Sequence, residues 1–218
     1  VRGRTLPIAA IAGALALALP AAAAQAPVVV IANSGRVAPP SCPTNPCAVI
    51  SRTTAVQVKD GSKREPFEVR VAGELVSWSV TLAVPTSGQV HYFDRHEGGT
   101  ARAQLAVLRS DGALRYKLVA LGPLVRMQPY FGKSARLRLA HPIAVAKGDV
   151  VALSVPTWLP ALAIDYPRTT SWRASRGASD CSNVTAETAQ TTLGAAARYD
   201  CLYEKALVTY SASEAVSG

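Results

Sequence analysis

The densest run of chemistry-bearing side chains is HYFDRHEGG, residues 91–99. His91, Asp94, His96 and Glu97 supply the nitrogen and oxygen atoms that a bound metal takes. Read as an extended segment, the run puts Asp94 and His96 on one face and His91 on the other. It ends in Gly98-Gly99, so the plain reading is a strand end entering a solvated hairpin loop. A carboxylate pair for glycoside hydrolysis would come from Asp94, Glu97, Asp165 and Glu204. These lie on different segments, and nothing in the sequence makes them converge. His141, ahead of Pro142, reads as a surface or packing residue. No nucleophile elbow, dinucleotide fingerprint, phosphate loop, H-E-x-x-H or calcium loop occurs. The sequence therefore assigns no catalytic residue, no metal ligand and no cofactor. An extracellular polysaccharide hydrolase using carboxylates from 91–97 and Asp165 stands as the enzyme alternative.

Four cysteines give the next chemistry. Cys42 and Cys47 sit between prolines in PSCPTNPCAV; Cys181 and Cys201 lie far downstream. C-x₄-C without nearby histidines is poor zinc spacing, and no C-x-x-C redox motif is present. An even number of cysteines in an exported chain reads as two disulfides, with three pairings open. Cys42–Cys47 with Cys181–Cys201 is favoured, because each pair bounds a turn-rich segment. Export is expected from residues 1–26: Arg2 and Arg4, a short apolar run, then the small residues AAAAQA, together a secretory signal peptide. A valine at the start and the excess of Arg over Lys suggest a GC-rich bacterium. No later run is apolar enough to span a membrane, and the expected location is extracellular.

Two features suit binding. Residues 27–218 hold 21 basic and 14 acidic side chains. Eight of the basic ones (Arg102, Arg109, Arg115, Lys117, Arg126, Lys133, Arg136, Arg138) fall in one stretch containing a single acid, Asp111. Arg115 and Lys117 alternate with Tyr116 and Leu118, as Arg136 and Arg138 do with Leu137 and Leu139, so each pair shares the outward face of a strand. If neighbouring strands align these faces, the protein presents a basic surface to anionic polymers. Outside a cell these are wall polymers, acidic polysaccharides or lipid headgroups; no nucleic-acid recognition motif appears. The second feature is aromatic: Trp158, Tyr166 and Trp172 lie among Pro156, Pro160 and Pro167, and exposed rings there could stack on sugars. The competing reading buries them. Asn183-Val184-Thr185 matches a glycosylation sequon, which reads as chance in a bacterium.

The elements that must position these residues are strands. PFEVRV, ELVSWSVTLAV and AVISRTTAVQV alternate apolar and polar residues, the period-2 signature of a half-buried strand. AQLAVLR, LRYKLVAL, ARLRLA, DVVALSV, ALAID, SWRAS and CLYEKALVTYSA continue the series. Asp60-Gly61, Ala72-Gly73, Gly98-Gly99, Asp111-Gly112 and Lys147-Gly148-Asp149 supply turns. About ten short strands at this spacing predict an antiparallel, jelly-roll-like β-sandwich. NVTAETAQTTL, 183–193, is too sparse in apolar residues for a core helix and reads as a loop. The expected organisation is a signal peptide (1–26), a loosely attached Pro-rich lead-in (27–47), one sandwich domain (48–212) and a polar tail (213–218).

In PFEVRVAGELVSWSV, AQLAVLR and HPIAVAKGDVVALSVPTW the chain resembles secreted actinobacterial β-sandwich proteins of unknown function. The likeness spans roughly residues 40 to 210 and carries no catalytic residue. The sequence thus predicts a secreted, disulfide-stapled module that binds or coats an extracellular or cell-wall polymer, carbohydrate or anionic. A structural module that assembles through a sheet face is the remaining alternative. Neither the ligand nor the oligomeric state can be read from the sequence.

Overall fold

The computed structural model describes residues 26–35 and 37–216, together with Gly3. The signal peptide expected over 1–26 therefore lies almost wholly outside the described residues. The strands are β1 (Val28–Ala32), β2 (Ile50–Asp60), β3 (Lys63–Arg64), β4 (Gly73–Thr81), β5 (Arg102–Ser110), β6 (Arg115–Leu121), β7 (Val125–Arg126), β8 (Ser134–Val145), β9 (Val150–Leu159), β10 (Leu162–Ala163), β11 (Ser171–Ala174), β12 (Ala196–Arg198), β13 (Cys201–Glu204), β14 (Leu207–Val208) and β15 (Tyr210–Val216). One helix, α1 (Ser87–His96), interrupts them between β4 and β5.

A smaller sheet has the order β1-β15-β4-β8; a larger one runs β12-β6-β5-β9-β2-β11-β13. All of their pairings are antiparallel. Counting β1, β2, β4, β5, β6, β8, β9 and β15 as eight main strands, the smaller sheet holds the first, eighth, third and sixth. The larger holds the fifth, fourth, seventh and second at its centre. That order is a jelly roll, two interlocked Greek keys. Between the sheets lies the main core, with Trp78, Val80 and Leu75 from β4, Leu105 and Val107 from β5, and Val151, Leu153 and Val155 from β9.

The larger sheet is apolar on its other face as well. Val56, Ala106, Leu108, Leu118 and Ala152 form a second core with Tyr199. Covering that face falls to residues 175–200, a strap across β2, β9 and β5. Gln190 is its hub: its backbone N–H donates to Thr54 Oγ1 at 2.8 Å and its carbonyl accepts from Ser154 Oγ at 2.9 Å. Its amide donates to the Tyr116 and Ala195 carbonyls, while Tyr199 OH donates to its Oε1 at 2.6 Å. Only Tyr199 and Asp200 separate β12, paired with β6, from β13, paired with β11. The two ends of the sheet must then approach one another, and it curls into a half-barrel.

Both disulfides form as favoured. Cys181–Cys201 (Cα–Cα 5.1 Å) closes the strap, and Cys42–Cys47 (4.3 Å) clips the lead-in. The lead-in is not loose. Residues 28–32 are β1, the edge strand of the smaller sheet; Ser41 N–H donates to the Leu162 carbonyl, and Gln89 Nε2 to that of Pro43. The polar tail likewise belongs to the sheet as far as Val216, because β15 alternates small or polar residues outward with buried ones. PFEVRV is a correction of another kind. It makes one bridge, Glu68 to Val150, and no regular strand; Phe67 and Val69 are buried while Val71 is exposed.

The Lys147-Gly148-Asp149 turn shows how the hairpins are fixed. Asp149 is 2% exposed. Its carboxylate accepts from Arg109 Nε at 2.8 Å, Arg109 Nη2 at 2.9 Å and the Ala146 amide at 2.9 Å. Burial opposes its ionisation, but the guanidinium and the amide outweigh burial and hold it below the usual carboxylate value. A depressed folded pKa contributes stability that is present above the unfolded value and lost as pH falls through the folded one. Asp149→Asn should therefore flatten the acid limb of the stability curve, read as thermal midpoint between about pH 6 and about pH 2. Opening the 20-residue Cys181–Cys201 loop with a double Cys→Ser change should cost about 3 kcal/mol in urea unfolding.

Candidate functional site

Residues 91–96 are helical, against the strand reading. Thr86 caps the helix: its hydroxyl accepts from Gln89 N–H, and the Gln89 side chain accepts from Thr86 N–H. This T-x-x-Q capping box was the signal in the sequence, obscured by Pro85 and Gly88. Gly98, at φ +84°, follows the C-cap and lets the chain leave in the left-handed region.

Helical spacing changes the fate of each polar side chain. Asp94 turns inward, its Oδ1 accepting from Trp158 Nε1 at 2.8 Å and its Oδ2 from Gln128 Nε2 at 3.2 Å. Glu97 is buried and accepts from the Ser51 hydroxyl. His91 contacts Arg95, and His96 packs on Tyr92 with ring centroids 4.6 Å apart. Asp165, at φ +66°, lines a separate hollow beside Pro39 and Pro46, and Glu204 faces Arg168 at 3.8 Å. Asp165 and Glu204 thus have surroundings of their own, while Asp94 and Glu97 stand about one helical turn apart, each held by a donor from the sandwich. Among the described residues no three of His, Cys, Asp and Glu gather as a metal site.

The aromatic platform does not form. Trp158 is fully buried, packed on Phe93 and Phe131 at 4.9 and 5.6 Å. Trp172 is 5% exposed and stacks on its cross-strand partner Tyr203 at 4.7 Å. Tyr166 is half-buried, its hydroxyl accepting from Ala38 N–H. Of the three prolines among these aromatics, Pro160 and Pro167 are outside strands, but Pro156 lies inside β9, and Trp158 two residues on is buried in the core.

The basic residues divide in two. Arg115 and Lys117 are on β6 in the larger sheet, Arg136 and Arg138 on β8 in the smaller, so the four do not share one surface. The jelly-roll crossover is the physical reason, since it sends these consecutive long strands to opposite sheets. On the larger sheet Lys117 faces Arg109, and Arg115 faces Arg198. These three arginines each have an acid: Arg109 with Asp149, Arg115 with Asp111, Arg198 with Asp200. Arg136 and Arg138 are exposed, and neither is in an ion pair among the described residues.

Their surroundings form a ladder. Across the outer face of the smaller sheet, Ala32, Ser211, Ser79 and Arg136 stand in one rung, and Val30, Ser213, Ser77 and Arg138 in the next. Beyond the first rung Thr81 and Ser134 hydrogen-bond at 2.8 Å. Ser77 Oγ is buried without a hydrogen-bond partner, as is Asn33 Oδ1 at the end of β1. Ser79, Thr81 and Ser211 line an open groove of about 180 Å³ with Asn33, Val37 and Thr209. Rungs two residues apart repeat at roughly 7 Å, and strands at about 4.8 Å. Sequence reasoning placed Ser77, Ser79 and Thr81 opposite the core but gave them no role. The matching Ser211 and Ser213 in YSASEAV were the signal that a second strand carried the same carpet.

A second concavity, about 330 Å³, opens at the mouth of the half-barrel, lined among others by Val58, Tyr116 and Val150. Its lining carries three cations, Lys59, Arg64 and Arg173, and two acids, Glu65 and Glu68. Glu68 pairs with Arg70, and Arg173 is engaged by the carbonyls of Tyr199 and Asp200. On the serine–arginine face, two exposed guanidinium groups outside any ion pair among the described residues stand in rungs with Ser77, Ser79, Ser211 and Ser213.

The chain matches no protein family, no curated protein and no solved structure in comparisons with known proteins. Among the described residues no helix is long and apolar enough to cross a membrane. The class defined by fold and site is therefore a disulfide-bonded jelly-roll sandwich with one hydroxyl-and-guanidinium sheet face.

With Trp158 and Trp172 in the core, alanine at either should cost stability in proportion to lost volume. We expect about 3–5 kcal/mol at Trp158, whose removal also strands Asp94 without its indole donor. Urea unfolding of the two variants measures it.

Proposed function

We propose that this protein is a secreted binding module for an anionic extracellular or cell-wall polymer, which lies across the outer face of the smaller sheet. The observation that carries the reading is the pair of rungs ending in Arg136 and Arg138. A guanidinium presents a planar fork that matches carboxylate, phosphate or sulfate in two parallel hydrogen bonds. Two such forks along one edge strand engage successive charged groups. The serines beside them, at strand spacing, both donate to and accept from hydroxyls of a sugar or polyol backbone. Export is part of the same proposal. Two disulfides suit an oxidising compartment.

Such a surface binds electrostatically, so its affinity falls with salt. Retention on immobilised polygalacturonate and poly(glycerol phosphate), with neutral dextran as control, should drop steadily as salt rises. Arg136→Ser with Arg138→Ser should weaken it about tenfold, the equivalent of about 1.4 kcal/mol, with an unchanged thermal midpoint. Retention that ignores both salt and the double substitution would remove the proposal.

A further inference from the structure

One end of the sandwich opens into a cavity of about 300 Å³. Its walls are apolar: Val29, Val30 and Ile31 of β1, Pro66 and Val71 of the segment after β3, and Val216 of β15. Val29, Val30 and Val71 are 44%, 67% and 51% exposed, well beyond the burial their side chains favour. Among these walls sits a carboxyl group. Glu214 lines the cavity, is itself 2% exposed, and its Oε1 has no hydrogen-bond partner.

The backbone is arranged to put it there. Tyr210, Ala212 and Glu214 share the inward face of β15, and Glu214 stands between Val29 on one neighbour and Leu75 on the other. The register shifts at this point, with Val76 of β4 as the extra residue; such bulges re-aim side chains at sheet rims. Across the ladder Val216 faces Gly73. A Cβ on Gly73 would lie 2.4 Å from the Ala215 carbonyl oxygen and 2.9 Å from Glu214 Oε1. The carboxyl therefore needs glycine at 73 to keep its seat.

The other charged groups facing the cavity are Lys63, Glu68 and Arg70. Arg70 Nη1 donates to Glu68 at 3.0 Å and Nη2 to the Glu65 carbonyl, so that pair is neutral as a unit. Lys63 is exposed, and its hydrated charge acts weakly through solvent. Glu214 is left as a buried acid with no cation of its own, and burial pushes its pKa above the usual carboxylate value. A hydrophobic residue here would stabilise the fold better. An ionisable group retained in an apolar cavity is what a cationic ligand would complete.

We propose that this cavity binds a small primary amine with an apolar body, its ammonium paired with Glu214 and its body against Val29, Ile31, Val71 and Val216. The site adjoins the serine–arginine ladder at Val30, but its carboxyl faces the other side of β15 and its ligand does not depend on that face. Pairing favours the ionised carboxylate, so binding below the raised pKa of Glu214 releases its proton, and affinity rises with pH until the amine itself loses its proton near pH 10.

Calorimetry of the full chain at about pH 8 with n-hexylammonium and, as neutral counterpart, n-hexanol tests this. The ammonium should bind at least tenfold more tightly. Glu214→Gln keeps the shape and removes the charge; it should abolish that preference, retain hexanol binding, and melt no lower than the parent. Equal affinity for the two probes, no binding of either, or a Glu214→Gln protein that still prefers the ammonium would overturn the assignment.

Discussion

A sheet that is apolar on both faces must be covered twice, and that requirement organises this molecule. Strands β5, β9 and β2 send Leu105, Val107, Leu153 and Ala55 to one side and Leu108, Ala106, Ala152 and Val56 to the other. The smaller sheet covers the first set. The second would remain in water without the strap of residues 175–200, and the transfer cost of that area favours any conformation that hides it. Of the strap's apolar residues Tyr199 alone is fully buried, so the strap is held largely by polar contacts. Gln190 uses its backbone groups and its side-chain amide at once, and Ser175 bonds both Thr54 N–H and the Thr188 carbonyl. In a low-dielectric seam such a network is strong only when its members are satisfied together. The Cys181–Cys201 link keeps the two ends of the strap from parting.

Covering the larger sheet has a consequence for function. Its outer face is spent on the strap, and three of its arginines on Asp111, Asp149 and Asp200. Arg102 of β5 and Lys117 of β6 stay exposed without an ion pair among the described residues, while on the smaller sheet Arg136 and Arg138 of β8 stand beside the serines of β4 and β15. One arginine is buried rather than exposed. Arg176, 3% exposed, has no acid and is tied to the carbonyls of Ser51 and Val184 and to the Tyr203 hydroxyl. It locks the strap to β2 through Ser51, whose hydroxyl also meets Glu97 after α1.

Much of the architecture could be read from period-2 alternation, because alternation reports which face of a strand is wet. ELVSWSVT announces Trp78 and Val80 inside and the serines outside, and that is how β4 lies. Elsewhere the signal was of a different kind: AQLAVL and VVALSV were rightly read as strands, β5 and β9, whereas α1 and Trp158 were misread. In AQLAVL and VVALSV no alternation is visible, since both faces are buried; a continuous apolar run of that length is itself the mark of a doubly covered strand. Helix α1 was hidden because its apolar face is just Val90 and Phe93, too little for a hydrophobic period, while the capping box that starts it is a two-residue cue. Trp158 misled for a related reason: flanking prolines suggested a loop, yet Pro156 is accommodated in β9. Local composition does not say which sheet a strand joins, and the split of Arg115 and Lys117 from Arg136 and Arg138 is decided by crossover alone.

Strand β15 ties the two candidate sites to one structural choice. Its outward residues Ser211 and Ser213 build the carpet between β1 and β8; its inward residues Tyr210 and Ala212 belong to the core, and Glu214 closes the cavity at the end. Tyr210 anchors the alignment, stacked on Phe67 at 4.0 Å with its hydroxyl donating to the Val151 carbonyl. Slipping β15 by one residue would turn the tyrosine to solvent and the serines into the core. The same slip would expose Glu214 and dismantle both the rungs and the acid-bearing cavity. A single aromatic anchor thus sets the register on which the outer face and the inner pocket jointly rely, and the bulge at Val76 lets the strand end in a carboxyl without disturbing the serines before it.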